Sequence, residues 1–202
     1  MEERSRTRER RDEVKARLRE ALIELTKERS FQDLKIDDIA KTAGLSRSAF
    51  YFYYRDKRDL LGEAIAVVAE QLYAEADRWW QGEGEGIELI EQGIAGVAQI
   101  WADNPQLMRA VLEVASYDEE VRTAWREVMD RFVEATAEQI RREQKAGNSD
   151  PAIDAVATSE ILTWGGERMF YMFLTSGERS LEEVLDHLVG SWVRAIYGPT
   201  NA

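Results

Sequence analysis

The sequence predicts an all-α protein of nine helices. Three observations carry this reading. Apolar residues recur at i, i+3, i+4 and i+7 in every long segment, the spacing that lines one face of a helix. Only three prolines, Pro105, Pro151 and Pro199, interrupt 202 residues. No segment alternates apolar and polar residues as a half-buried strand would. With 44% hydrophobic, 9% aromatic and 33% charged residues, the composition is that of a folded protein, enough for one compact unit or two small ones.

The first helix is expected over 12–28, where Val14, Leu18, Leu22 and Leu25 share a face. Two short helices follow at 36–43 and 47–53, parted by Gly44, Leu45 and Ser46. A long helix over 57–80 turns Leu60, Leu61, Ala64, Ile65, Val68 and Leu72 inward. Gly82-Glu83-Gly84-Glu85-Gly86 ends it, because each glycine costs a helix about 1 kcal/mol relative to alanine. Alternating glutamates and the lack of a Lys-Ser/Thr pair make this stretch a linker rather than a phosphate cradle. Helices are then expected at 87–102, at 105–116 with Asn104 as N-cap and Pro105 as first residue, and at 119–145, closed by Gly147. Asp150 and Pro151 repeat the cap-plus-proline signal and open a helix reaching 174, with Gly165 and Gly166 inside it. Ser180 and Glu183 form a capping box for the last helix, 181–197, which stops at Gly198-Pro199.

Composition excludes much chemistry. Without cysteine there is no disulfide framework, thiolate metal site or cysteine nucleophile, and the single histidine, His187, excludes a multi-histidine cluster. His187 stands among Val184, Leu188 and Ser191 with no sequence partner for base catalysis, so a surface or dimer-interface place is expected. No catalytic residue, metal or other cofactor is expected. No apolar run approaches the roughly 18 residues of a membrane span, and MEERSRTRERR has no apolar stretch behind its charges. A cytoplasmic protein without a membrane partner is expected.

Net charge is −12, but residues 1–60 carry 16 Lys or Arg against 13 Asp or Glu, a balance of +3, which leaves −15 for the rest. The two parts therefore face different partners. Short helix, Gly-containing turn and second short helix make a helix-turn-helix unit, whose second helix enters the DNA major groove. Ile39, Ala40 and Ala43 supply its small apolar contacts, Gly44 the turn and Ser46 the cap. Residues 50–54 then read Phe-Tyr-Phe-Tyr-Tyr. At about 100° per residue one core cannot absorb all five. Either they form a mostly buried cluster, or Phe50 and Tyr54 go inward and the others face DNA. The stretch Arg4 to Arg11 holds five arginines in eight positions; it is either a frayed extension of the first helix or an arm along the minor groove or phosphates.

Residues 43–61, AGLSRSAFYFYYRDKRDLL, resemble the signature of the TetR family of one-component transcriptional regulators. The C-terminal part resembles the EthR type in Trp125, Met129, Phe132, Glu167, Arg168 and the closing 184–198. The resemblance implies a TetR-type fold: a helix-turn-helix domain over 1–56, with 1–11 as basic arm, and a helical ligand-binding and dimerisation domain over 57–202. It implies DNA contacts from Arg47, Ser48, Tyr51, Phe52, Tyr53 and Lys57, with Ser46 and Lys35 on the same surface. Lys35 stands where the family commonly has Thr or Ser, so it can reach a phosphate but cannot cap. Ala49 replaces a common Thr and can pack on a thymine methyl.

Aromatic and methionine residues accumulate in the C-terminal part, more than one small helical core packs, which fits an apolar small-molecule pocket. By the EthR resemblance its lining comprises Ile90, Val97, Trp101, Met108, Trp125, Met129, Phe132, Thr136, Thr163, Gly166, Glu167, Tyr171 and Trp192. Thr163 and Gly166 stand where that subgroup has two asparagines. An uncharged effector is expected to enter between the helices carrying Trp101, Trp125 and Trp164. The last two helices, through Phe170, Phe173, Leu181, Val184, Leu188, Trp192 and Ile196, are expected to form a homodimer interface. These expectations describe a repressor that binds a palindromic operator as a dimer and is released by ligand. The competing readings are a helical carrier or enzyme acting on an apolar small molecule, and a structural DNA-binding protein without a ligand.

Overall fold

The computed structural model describes residues 2–82 and 84–198, with the side chains of 2–5 and 7 left aside. Met1, Glu83 and Pro199, and the side chain of Arg4 in the basic stretch, lie outside the described residues. Among the described residues there are nine α-helices and no strand: α1 Glu2–Thr26, α2 Ile36–Thr42, α3 Arg47–Tyr53, α4 Lys57–Gln81, α5 Gly86–Asp103, α6 Pro105–Ala115, α7 Glu119–Ala146, α8 Ala155–Met169 and α9 Leu181–Tyr197. The chain groups into two compact units. One comprises the residues up to Val67 with Arg109–Ala124, the other Val68–Met108 with the residues from Trp125 on. Helices α4, α6 and α7 thus contribute to both.

In the first unit Leu18, Leu22, Phe31, Ile39, Phe50, Leu60 and Leu61 are fully buried. Glu63 of α4 accepts hydrogen bonds from Lys15 and from Arg19 (2.6 Å), which fastens α1 to α4. Arg58 donates to Asp118 at 2.8 Å. Helix α1 begins ten residues before the expected start. Its early turns have no buried side chain among those described, and Arg6, Arg8, Arg10 and Arg11 are exposed. The basic stretch is therefore a helical extension, continued by the core-facing residues that follow it.

In the second unit α5 lies along α9, and α8 packs on α9 as well. The ends are tied across: Arg142 of α7 donates to the Trp80 carbonyl (2.7 Å) near the end of α4, and Ser149 Oγ to the Ile196 carbonyl (2.6 Å) of α9. The capping box of Ser180 and Glu183 opens α9 as the sequence implies.

Three local expectations are corrected. Asn104 stands before Pro105, the first residue of α6, as expected, and its backbone carbonyl accepts from Met108 N at 3.1 Å, but its side-chain amide is spent on the Ile100 carbonyl (2.9 Å), closing α5 rather than capping α6. Asp150 closes only a turn, accepting from Ala152 N at 2.8 Å. The cap that opens α8 is Asp154, which accepts from Val156 N (3.0 Å) and Ala157 N (3.1 Å). The helix does reach 174, but its last turn, Phe170–Leu174, is π-helical. There Thr175 N bonds the Phe170 carbonyl five residues back at 3.4 Å, while the Thr175 and Ser176 hydroxyls take the carbonyls of Tyr171 and Met172.

Asp154→Ala is expected to lower stability by about 1 kcal/mol, the usual worth of an N-cap, and Asp150→Ala by less. Urea melts of the two variants compare them directly.

Candidate functional site

The first unit builds an exposed edge on α3. Ser46 opens the helix, its hydroxyl accepting from Ala49 N at 3.1 Å, and Gly44 turns the chain at φ +68°, where an L side chain is strained. Phe50 is fully buried and Tyr54 nearly so, while Tyr51 is 46% and Phe52 76% exposed. The aromatic run is thus divided, with Tyr53 half-buried and its ring edge-on to Phe52 at 5.2 Å. Arg47 and Ser48 share the exposed side. Arg47 donates to Asp37 (2.6 Å) and to the Tyr51 hydroxyl (3.3 Å), so an acidic residue of α2 holds the guanidinium beside the ring. Lys35, exposed before α2, makes no side-chain cap bond.

Lys57 is put to another use. Its Nζ donates to the carbonyls of Phe31, Gln32 and Leu34, each at 2.8 Å, and lies 4.9 Å from the Phe31 ring centre. All three ammonium donors are spent, so a phosphate reaches this group only in place of a carbonyl. Burial pulls its pKa below the ordinary lysine value. Arg17 carries no signal in the sequence: it donates to the carbonyls of Ala43 and Gly44, fastening the turn before the exposed helix. Both jobs depend on carbonyls that no side-chain pattern marks.

The second unit holds a cavity of about 80 Å³. Eleven of the thirteen expected residues line it: Ile90, Val97, Trp101, Trp125, Met129, Phe132, Thr136, Thr163, Gly166, Glu167 and Trp192. Met108 and Tyr171 are not in the wall. Met108 is fully buried elsewhere, and the π turn presents Phe170 to the cavity where Tyr171 was expected. Helix α4 supplies Leu72, Ala76, Trp79 and Trp80, which the sequence assigns to no site. Its rings meet edge to face: Trp101 with Trp125 at 6.1 Å, Trp80 with Phe132 at 5.1 Å and Trp79 with Trp192 at 6.2 Å. Such pairs are individually favourable but do not stack into a solid layer. Trp164 points away and is partly exposed, so it does not frame the cavity.

Polar groups in the wall are few. Thr136 Oγ1 accepts from Trp80 Nε1 at 3.3 Å. Glu167, only 5% exposed, has its carboxyl pushed above the ordinary range by burial, against the nearby Arg168 charge and the Trp125 indole N–H. The indole nitrogen is near enough to influence the carboxyl but outside hydrogen-bond geometry.

The expected dimer surface is corrected too. Phe170, Val184, Leu188 and Ile196 are buried inside the chain, and Phe170 and Leu188 line the cavity. Trp192, half-buried, also lines it. Phe173 and Leu181 are half-buried, with Arg179 lying 4.0 Å from the Phe173 ring centre. The apolar side chains left outside on α8 and the π turn are Val156, Ile161, Trp164 and Met172, with Ile161 72% exposed.

Residues 18–64 match the bacterial regulatory proteins of the tetR family, and residues 90–198, more than half of the chain, match the C-terminal domain of the transcriptional regulator EthR. The chain is an EthR-like TetR-family regulator. As such it is a transcriptional regulator and not an enzyme. This TetR-family chain is 29% identical to the HTH-type transcriptional regulator EthR of Mycolicibacterium smegmatis over 192 residues, covering 89% of the chain and 87% of the relative. It is 29% identical to EthR of Mycobacterium tuberculosis over 182 residues, covering 86% and 82%. Among solved structures, a TetR-family regulator from Syntrophomonas wolfei aligns with a TM-score of 0.76 at 17% identity, covering 97% of this chain and 99% of that one. FadR of Bacillus subtilis, solved in complex with stearoyl-CoA, aligns with a TM-score of 0.72 at 16% identity, covering 92% and 99%. These two likenesses are of fold. Among the described residues no helix is long and apolar enough to cross a membrane.

Because Lys57 ties down three carbonyls, Lys57→Ala is expected to lower stability by about 1–2 kcal/mol, whereas Tyr51→Ala, which removes an exposed ring, leaves it within about 0.5 kcal/mol. Equal melting of the two variants would show that the carbonyl cluster carries no stability.

Proposed function

We propose that this regulator is a repressor that binds a palindromic operator as a dimer and leaves it when an apolar small molecule occupies the cavity. One observation carries the link between the two events. Helix α4 is continuous over 25 residues, about 37 Å at 1.5 Å per residue. It starts at Lys57, whose ammonium holds the loop ahead of α2, and ends with Leu72, Ala76, Trp79 and Trp80 in the cavity wall. A small tilt at the cavity end displaces the other end by more, and ligand couplings of this kind are typically about 1–3 kcal/mol.

In this reading residues 1–56 contact DNA and 57–202 hold ligand and partner. Arg47, Ser48, Tyr51 and Phe52 meet the major groove, with Ser46, Tyr53 and Lys35 beside them. Phenol and hydroxyl groups bond phosphate, and ring edges touch thymine methyls. The exposed arginines of the α1 extension add backbone contacts. An apolar occupant suits a wall of tryptophan, phenylalanine and aliphatic side chains. The complex of Bacillus subtilis FadR with stearoyl-CoA supports this reading, since a protein of similar fold there holds a ligand with a long apolar chain.

Selection of DNA from a random library by the full chain tests the reading. Twofold-symmetric sequences are expected, and Tyr51→Ala should bind them at least tenfold more weakly with unchanged melting. Gly166 lines the cavity and a Cβ added there meets no atom within 4 Å; Gly166→Trp, which fills that space, should no longer respond to compounds that release the parent from DNA. Selected sequences without symmetry, or Tyr51→Ala binding as the parent does, would overturn the assignment.

Reading a palindrome needs two recognition helices about one DNA turn apart, hence a twofold pair. The apolar side chains that α8 and the π turn leave exposed supply the surface that the buried α9 residues cannot. Ile161→Asp is expected to give monomers in sedimentation and to weaken operator binding, since it buries a charge in an apolar contact. A dimer persisting in Ile161→Asp would place the interface elsewhere.

A further inference from the structure

We infer that the molecule this cavity takes is apolar with one polar head that both accepts and donates a hydrogen bond, of which a secondary amide is the simplest example. The inference deepens, and rests on, the reading of the cavity as the effector site. It begins from what the wall leaves unsatisfied. Trp125, Thr163 and Glu167 line the cavity and are 4%, 6% and 5% exposed. Neither Trp125 Nε1 nor Thr163 Oγ1 has a hydrogen-bond partner. Two other indoles of the wall are engaged: Trp80 Nε1 donates to Thr136 (3.3 Å) and Trp79 Nε1 to the Tyr197 hydroxyl (3.2 Å). Buried polar atoms in folded proteins are nearly always paired, so two orphans in one wall call for an explanation.

These groups also belong together. Thr163 and Glu167 are four residues apart on α8 and therefore on one face, with Gly166 between them adding no side chain. The Trp125 N–H lies close enough to act on the Glu167 carboxyl. An indole N–H can only donate, a carboxylate can only accept, and a hydroxyl does either. A ligand head that satisfies the indole must accept, and one that satisfies the carboxylate must donate. A secondary amide does both: its carbonyl takes the Trp125 N–H, its own N–H goes to Glu167, and Thr163 completes either bond. An ester accepts only and leaves an ionised Glu167 unmatched. A protonated amine donates only and leaves Trp125 unmatched.

The experiment titrates the full chain by calorimetry with three matched series: N-benzyl amides of linear alkanoic acids, the corresponding benzyl esters and the corresponding N-benzyl alkylamines. Amides are expected to bind about tenfold or more tightly than esters or amines of the same length, the discrimination an unpaired buried polar group imposes. Glu167→Leu should erase the preference of amide over ester. Trp125→Phe, which keeps a ring and deletes the donor, should weaken amides and esters alike. Esters binding as well as amides, amines binding tightest, or a preference that survives Glu167→Leu would overturn the polar head while leaving the cavity reading in place. No binding by any series would overturn the cavity reading and this inference with it.

Discussion

A seven-residue helix does not hold itself together in water, because nucleation costs more than so few hydrogen bonds return. Helix α3 exists in this chain because Phe50, on its inner face, and Tyr54, the extended residue that ends it, are drawn into the core of the first unit. Burial of a phenylalanine stabilises by roughly 2–3 kcal/mol, comparable with what such a helix lacks. That single anchoring also orients everything else on α3. With Phe50 inward, the helical rotation leaves Arg47, Ser48, Tyr51 and Phe52 outward. The exposed rings are a consequence of the buried one.

The anchoring needs a firm surface beneath it. Arg17 on the turn carbonyls, Lys57 on the loop carbonyls and Glu63 between Lys15 and Arg19 supply it with charged side chains used as clamps. Each clamp joins segments distant in sequence. They are partly exposed, so each contributes modestly, but together they fix a loop and a turn that have little apolar surface of their own.

In the second unit the opposite problem arises. Trp79, Trp80, Trp101, Trp125 and Trp192 bring rings too large and too differently oriented to close on one another, and Gly93 and Gly166 face them without side chains. The interior is consequently held open at its own expense, since empty space and unpaired polar atoms both lower stability.

Local signals determined most of the helices and offered the division of the aromatic run as one of two readings, which burial then decided. Caps such as Ser46 and Ser180, turns such as Gly44 and apolar spacing act over a few residues and are therefore written in the sequence itself. The resemblance to EthR placed most of the cavity wall, because a face of α5 or α7 retains its residues wherever its partner lies. What the sequence left open was which of two faces a neighbour covers. Val184, Leu188 and Ile196 read equally well as an outer surface or an inner one, and only the packing of α9 on α5 and α8 turned them inward. The same holds for Asp150 against Asp154, where two caps four residues apart are locally equivalent and the turn between them is decided by its own hydrogen bonds. Lys57 makes the point most sharply. A long cation beside an aromatic run looks like a phosphate contact, but its partners are three backbone carbonyls more than twenty residues away, and backbone carbonyls leave no mark in a sequence.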